Sequence, residues 1–332
     1  MELSNKIFFI IPLQIVAMLA YFPIARKLKL YDVPNKRSSH QNITFRGGGV
    51  LIPISIIFYL VFFGFHHGFS IHYLLLGVML VSIVSFYDDF KGSNPFFRLI
   101  IHFVSVGLIM MDINEDYKFS PFIIIIIAII AVAAVNAFNF MDGINAITGL
   151  YVLVFFETVL FFHYKIEKIF EPNFIVVLII AVLIFGFYNF RTKAILFAGD
   201  VGSVSLGLIC VFYVLYLIMH TNNIIYLSML AVYGVESGLT IFNRLIRGQN
   251  IFQAHRMHLF QDLVHATKLP HLAVSFLYAL VQIIINIGMF YCIQKGFEGY
   301  LYLSYVLILL IGLYIILKYK IFKHIEASNE KN

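Results

Sequence analysis

The sequence predicts an all-α, polytopic transmembrane helix bundle, on three observations. Of 332 residues, 61% are hydrophobic and only 12% charged, with a mean hydropathy of +0.92, whereas soluble domains carry roughly a quarter charged residues. The apolar residues gather in runs of about 17–22, long enough to cross a bilayer as helices. The period-2 alternation that a transmembrane strand barrel requires is missing.

About 11 spans follow from those runs: 7–25, 48–65, 71–87, 96–111, 121–140, 149–163, 173–189, 203–219, 224–242, 271–292 and 300–317. They make one transmembrane domain over residues 1–317, with residues 318–332 as a short polar tail. The stretch Met1 to Ile10 lacks a basic n-region and a small-residue cleavage site, so the first span is expected in the mature chain. Cys210 and Cys292 each lie inside an apolar run, which favours packed thiols and excludes a disulfide framework. The net charge of +6 does not call for nucleic acid, because basic loops on one side of a membrane account for it.

Those loops also give the orientation. Segments after odd-numbered spans carry 18 of the 23 Lys and Arg residues, and positive loops stay in the cytoplasm. The N-terminus is therefore expected outside and the C-terminus inside, in the inner (plasma) membrane. The opposite loops are short or plain. A transporter would place ionisable groups near the bilayer midplane on broken helices. Here they gather at helix ends on one face, which suits a membrane-surface site for one water-soluble and one lipid ligand.

Five loops on that face hold the chemistry. The first carries Lys36, Arg37 and Arg46, then Gly47, Gly48 and Gly49 at a helix start. Backbone N–H groups there can approach a diphosphate closely; a basic anchoring loop beside anionic headgroups is the alternative. The second ends a span on Asp88 and Asp89, which need a cation or proton and which a helix C-terminus disfavours. In the third, Asn139, Asp142 and Asn145 recur every three residues. A continuing helix would align them on one face, suited to a nucleobase, a ribose or a hydrated metal; helix-end capping around Gly143 would also explain them.

In the fourth loop Gly199 and Gly202 bracket Asp200, ahead of Ser203, a good N-cap. An Asp in such a turn can hold Mg²⁺ while the helix end faces phosphate oxygens, and Phe197 can stack on a base; an ordinary capped helix start is the alternative. The fifth and longest, 243–270, holds Arg244, Arg247, His255, Arg256, His258 and His265. Its arginines favour phosphate binding or proton sharing over zinc. Glu236 is placed to pair with Arg244 or another base of this loop. Glu157, inside a span, has no assigned role. His66, His67, His72, His102, His163 and His220 lie at outer ends or in spans and are expected to be inert.

Taken in order, these motifs resemble the polyprenyl-phosphate N-acetylhexosamine-1-phosphate transferases, the glycosyltransferase family 4 relatives of phospho-MurNAc-pentapeptide transferase. The likeness runs from Asp32 to about Gln261. Tyr87-Asp88-Asp89 is similar to the family's paired-aspartate loop, and Asn139-Phe140-Met141-Asp142-Gly143 to its Asn-x-x-Asp-Gly loop. Phe197 to Gly207 resembles its most specific segment. Glu236 to Leu259 looks like the branch that initiates O-antigen or capsule chains. The resemblance implies transfer of an N-acetylamino-sugar 1-phosphate from a UDP-sugar to undecaprenyl (polyprenyl) phosphate, releasing UMP, with Mg²⁺ or Mn²⁺ as cofactor. It implies Asp200 as the principal metal ligand, with Asp88 and Asp89 at the lipid phosphate or the metal. Asn139, Asp142, Asn189 and Phe197 would line the nucleotide site, with Asn145 beside them, and Arg46 would serve the diphosphate. His255, Arg256 and His258 would contact the sugar or diphosphate. A homodimer is compatible with this reading.

Two departures stand out. Asn145-Ala146 occupies a place where many members have Asp-Gly, and the fifth loop lacks the run of adjacent histidines of other branches. The rival enzyme is an aspartate-rich membrane prenyltransferase, which would want paired Asp-x-x-x-Asp motifs. The rival outside enzymes is a lipid or solute transporter.

Overall fold

A computed structural model describes residues 4–33, 43–64, 71–92, 94–113, 120–250 and 256–329, with side chains to residue 323. Its helices are α1 (Ile7–Lys27), α2 (Leu51–Phe63), α3 (His72–Lys91), α4 (Pro95–Ile113), α5 (Pro121–Met141), α6 (Ile147–Lys165), α7 (Pro172–Asn189), α8 (Gly199–Thr221), α9 (Ala231–Ile246), α10 (Leu259–His265), α11 (His271–Lys295) and α12 (Gly299–Asn329). Local chemistry sets several starts. Pro121 and Pro172 open α5 and α7, where a missing N–H costs nothing. Ser120 caps Ile123 N at 3.4 Å, and Glu171 caps Asn173 N at 3.2 Å.

Among the described residues, ten helical segments are long and apolar enough to cross a membrane. The chain is thus an all-α, multi-pass membrane protein. The span expected at 48–65 differs from the others. It begins as a tight 3₁₀ turn, Gly48–Val50, and stops where Gly64 takes φ +70°, so Gly48–Phe63 is shorter than the ten long spans. The span expected at 224–242 also starts as a 3₁₀ segment, Ile224–Leu230, before α9. Backbone groups at that junction are met from other helices. Gln282 donates to Ser228 O at 2.9 Å and Tyr151 to Met229 O at 3.1 Å. Such partners are needed where no water is at hand. The stretch expected as a polar tail continues α12 to Asn329.

α8 lies at the centre of the bundle: 83% of its apolar window is buried, against 11% for α12. Small residues let neighbours approach it and hydroxyls tie them down. Ser205 bonds Ser82 of α3 at 2.8 Å, and Asn139 of α5 donates to Ser203 at 3.3 Å. The start of α8 is joined as closely to the first loop. β1 (Tyr31–Asp32) and β2 (Thr44–Phe45) pair antiparallel, and Phe45 bridges to Leu196. Phe197 N donates to Phe45 O at 2.8 Å, Gly48 N to Phe197 O at 2.8 Å and Gly49 N to Ala198 O at 2.9 Å.

This overturns one sequence expectation. The N–H groups of Gly48 and Gly49 are bonded to carbonyls, so they do not form an anion cradle. The glycines serve close packing: a Cβ on Gly49 would lie 2.1 Å from Gly202 Cα. Backbone meeting backbone cannot yield as a side chain can, and overpacking costs roughly 1–3 kcal/mol or more. Gly49→Ala should therefore lower the melting temperature of the detergent-solubilised protein and reduce folded yield. Gly107→Ala, where a Cβ would meet nothing within 4 Å, should leave both near wild type.

Candidate active site

Three helix ends and one loop bring five charged side chains into a row. Asp88 and Asp89 come from the last turns of α3, Arg98 from the first turn of α4, Asp200 from the first turn of α8, and Arg46 from the loop after β2. The order is Asp88, Arg98, Asp200, Arg46, Asp89. Arg98 lies 2.5 Å from Asp88 Oδ2 and 3.0 Å from Asp200 Oδ2. Arg46 lies 3.1 Å from Asp200 Oδ1 and 2.7 Å from Asp89 Oδ1. Signs alternate throughout, with three carboxylates against two guanidiniums.

The environment explains the alternation. The Asp89 side chain is 0% exposed, Asp88 11% and Asp200 15%. A lone carboxylate so buried would be strongly unfavourable. The dipole penalty at the end of α3 is offset from α8, whose first N–H groups point the opposite way: Asp200 N donates to Asp89 Oδ1 at 3.4 Å. Burial works against the charge on Arg46, but Asp89 and Asp200, with Asp32 beyond them, hold its pKa above the ordinary guanidinium value. Tyr21 of α1 fixes the loop by donating its hydroxyl to Arg46 O. Gly199 is doubly required. It takes φ +71°, and a Cβ there would lie 2.4 Å from Asp89 Oδ2.

The third loop lies beside the row, but not as a continuing helix. α5 ends at Met141 and Asp142 is its non-helical C-cap. Asn139, Asp142 and Asn145 therefore do not share a helical face, which corrects the alignment expected from their spacing. The helix stops ahead of the Gly143 turn. Asn139 reaches Ser203, one turn into α8. Burial pushes the Asp142 carboxyl up to about 6; the Thr148 hydroxyl opposes this, nearby Asp200 adds to it and Arg46 opposes it.

Asn145 is buried and donates to Arg191 O at 2.7 Å and Thr192 O at 3.3 Å. Asn189 accepts from Ala146 N and donates to Leu196 O, both at 2.8 Å. These two amides bind neighbouring loops to one another, with their polar atoms directed at backbone. Phe197, half-buried, is tied at both N–H and carbonyl to the first loop.

The fifth loop separates from the row. His258 is 3% exposed and is the N-cap of α10 in a capping box with Gln261. Its Nδ1 lies 3.8 Å from Glu236 Oε1. Glu236 also accepts from Phe260 N at 3.1 Å and from the Tyr278 hydroxyl; of the two pairings expected for it, the one with another base of the fifth loop, His258, is present and the one with Arg244 is not. Arg244 lies two helical turns further along and bonds Gln249 and the Asn250 carbonyl. Arg256 contacts His265 at 3.3 Å. Lys36, Arg37 and His255 lie outside the described residues. α10 still borders the site, because a Cβ on Gly143 would meet Phe260 at 2.8 Å.

Sequence reasoning missed Arg98 and His102: Arg98 is one of the 18 basic residues counted there only for membrane orientation, and His102 was expected to be inert. They stand four apart on α4, one face of one helix, and that face meets the row. His102 is buried at 3% beside Arg98 and Asp200, in hydrogen-bond reach of Asn136. The signal was the i, i+4 pair directly after the paired aspartates.

The donors suit a hard cation. Asp89 Oδ2 is buried without a hydrogen-bond partner, and carboxylate oxygens are what Mg²⁺ takes. The described residues contain no group of three or more His, Cys, Asp or Glu placed to hold an ion. Mg²⁺ requires no such cage, since it usually takes one or two carboxylates and completes its shell with water and substrate phosphates.

Fold and site together define a multi-pass membrane protein with a carboxylate–guanidinium centre at helix ends on one face. Over residues 71–218 the chain matches the family model of glycosyl transferase family 4. That segment holds Asp88, Asp89, Arg98, Asn139, Asp142 and Asp200, and the match supports a membrane transferase at the level of that family. No curated protein matches the chain.

Asp142 provides a direct test of the electrostatics. Its folded pKa of about 6 exceeds the ordinary 3.8, so ionisation disfavours the folded state. That penalty is absent below the unfolded value, grows between about pH 4 and 6, and is complete above. Asp142→Asn should therefore raise thermal stability at pH 7.5, by about 1–3 kcal/mol. The gain should fade as pH falls from 6 to 4, read from melting curves of both proteins across pH.

Proposed function

We propose that this protein transfers an N-acetylamino-sugar 1-phosphate from a UDP-sugar to undecaprenyl (polyprenyl) phosphate, initiating a cell-surface glycan such as an O-antigen. The observation that carries the reading is the alternating row Asp88–Arg98–Asp200–Arg46–Asp89, four of whose five members lie in the family-matched segment. Two phosphate-bearing substrates must meet, and their charges repel. Arg46 and Arg98 can each take phosphate oxygens bidentately once their carboxylate partners turn to a cation. Asp200 and Asp88, with the unpaired oxygen of Asp89, would hold Mg²⁺, which neutralises charge on the donor diphosphate when bound.

An oxygen of the lipid phosphate forms a bond to the sugar-bearing phosphorus of the donor. The bond from that phosphorus to the bridging oxygen breaks, and UMP leaves with the electron pair. The lipid phosphate is already ionised near pH 7, so no strong general base is required. The protein's part is positioning and charge stabilisation. A covalent route through Asp88 or Asp89 gives the same products. On this reading Asn139 and Asp142 would contact the nucleotide, and Asn145, Asn189 and Phe197 position the loops that hold the row.

The test is UMP release by purified protein given candidate UDP-N-acetylamino sugars and undecaprenyl phosphate. Asp200→Asn should cut turnover on the order of 10²–10³-fold, most severely at limiting Mg²⁺, with the protein still folded. Asp88→Asn should slow the single-turnover rate more than it weakens donor binding, and Asn139→Ala should do the reverse. Near-normal turnover of folded Asp200→Asn would end the metal-ligand assignment.

We also propose that the row faces the cytoplasm of a cell's plasma membrane, from the 18 of 23 basic residues on that side. With Cys292 replaced by Ser, a membrane-impermeant maleimide added to intact cells should label Lys168→Cys and not Thr192→Cys. The opposite pattern would invert the topology.

A further inference from the structure

α9, α10 and α12 enclose a cleft of about 600 Å³ that opens on the same face as the carboxylate row but shares no residue with it. Its lining divides by chemistry. Arg247, Arg256 and Lys318 supply three cations, against the single carboxylate of Asp262, which Lys318 holds at 2.5 Å. Phe242 and Phe322 form apolar walls and are 60% and 59% exposed. α10 partitions cleft from row: Phe260 packs toward Gly143 beside Asp142, while Asp262 turns to Lys318. A cationic excess beside exposed aromatic walls, at the end of membrane helices, is complementary to an anionic headgroup carrying acyl chains. Water-soluble phosphates would leave the aromatic walls unused, and a zwitterionic lipid, neutral overall, would not match the cationic excess.

We infer that this cleft binds the headgroup phosphate of an anionic phospholipid, with its chains along Phe242 and Phe322. The inference stands apart from the transferase reading and needs no turnover to test. The chain has 0 Trp, so one introduced indole reports one place. In Phe322→Trp, dibrominated phosphatidylglycerol should quench fluorescence at lower mole fraction than phosphatidylcholine with the same brominated chains. Each cation near the membrane surface should contribute roughly 5-fold in preference, so Arg247→Gln in that background should reduce it by about that factor. Phe276→Trp on α11, outside the cleft, should show no preference. If Phe322→Trp fails to fold, Phe242→Trp gives the same reading from the facing wall. Equal quenching by the two lipids, or a preference that Arg247→Gln leaves intact, overturns the proposal. Preferential displacement by unbrominated undecaprenyl phosphate would assign the cleft to that lipid, and displacement by inorganic phosphate would make it a plain anion site; either result overturns it too.

Discussion

Three carboxyl and two guanidinium side chains share a place where no one of them could stand alone. Desolvating a carboxylate costs several kcal/mol even after relaxation, and Asp89 is fully enclosed. The arrangement survives because each guanidinium serves two acids and because α8 turns its N–H groups toward Asp89. The rest of the architecture follows from that constraint. α3 and α4 must end and begin side by side, α8 must start against α3, and the first loop must deliver Arg46 to Asp200, 154 residues away in sequence. The Tyr21 bond, the β2 bridge and the Gly49–Gly202 approach all hold that last element in place.

A row in this condition is poised for exchange. Its ion pairs neutralise carboxylates that are otherwise suited to a cation, and neutralise guanidiniums that are otherwise suited to phosphate. Arrival of a cation and a diphosphate together would swap partners without leaving a charge bare at any stage. On the proposed reading, the acids and bases that satisfy one another in the resting protein would satisfy ligands in the loaded one. This is a form of preorganisation: the dipoles and charges that a phosphoryl transfer needs are in place before the substrates are.

Much of the fold was legible because bilayer thickness is a one-dimensional constraint, written directly into apolar run length. What escaped was local geometry within spans. Nothing in the run 48–65 shows that it starts as a 3₁₀ turn, because that turn is set by partners at 197 and 198. The paired aspartates and the Gly-bracketed Asp200 were legible as candidates from their unlikely positions at helix ends. Their mutual geometry was not, since it depends on Arg98 and Arg46, whose charges a sequence reading assigns first to membrane orientation. The three-residue spacing of Asn139, Asp142 and Asn145 misled because periodicity says nothing about where a helix stops. Ala146 shows the same limit from the other side. It adopts φ +70°, a conformation costly for a residue with a Cβ, and Asn189 holds it there. The Asp-Gly expected at 145–146 would meet that demand without strain, so the departure noted in sequence is a backbone matter before it is a chemical one.

The fifth loop links the outer helices to the charged row. His258 of that loop and Glu236 of α9 are turned inward: His258 caps α10, and Glu236 receives Phe260 N and the Tyr278 hydroxyl. Both therefore act by fixing α10, a short helix that could not persist alone. One side of α10 presses on the Gly143 turn, which carries Asp142. The other side is strapped by Lys318 to α12, through Met257 O and Asp262. α12 is the least buried of the ten long spans among the described residues and so the span most open to the surrounding lipid. A continuous run of contacts therefore leads from the bilayer, through α12 and α10, to the carboxyl group beside the charged row. Each link in that run is a direct contact, and none of them requires α8 or its neighbours to move.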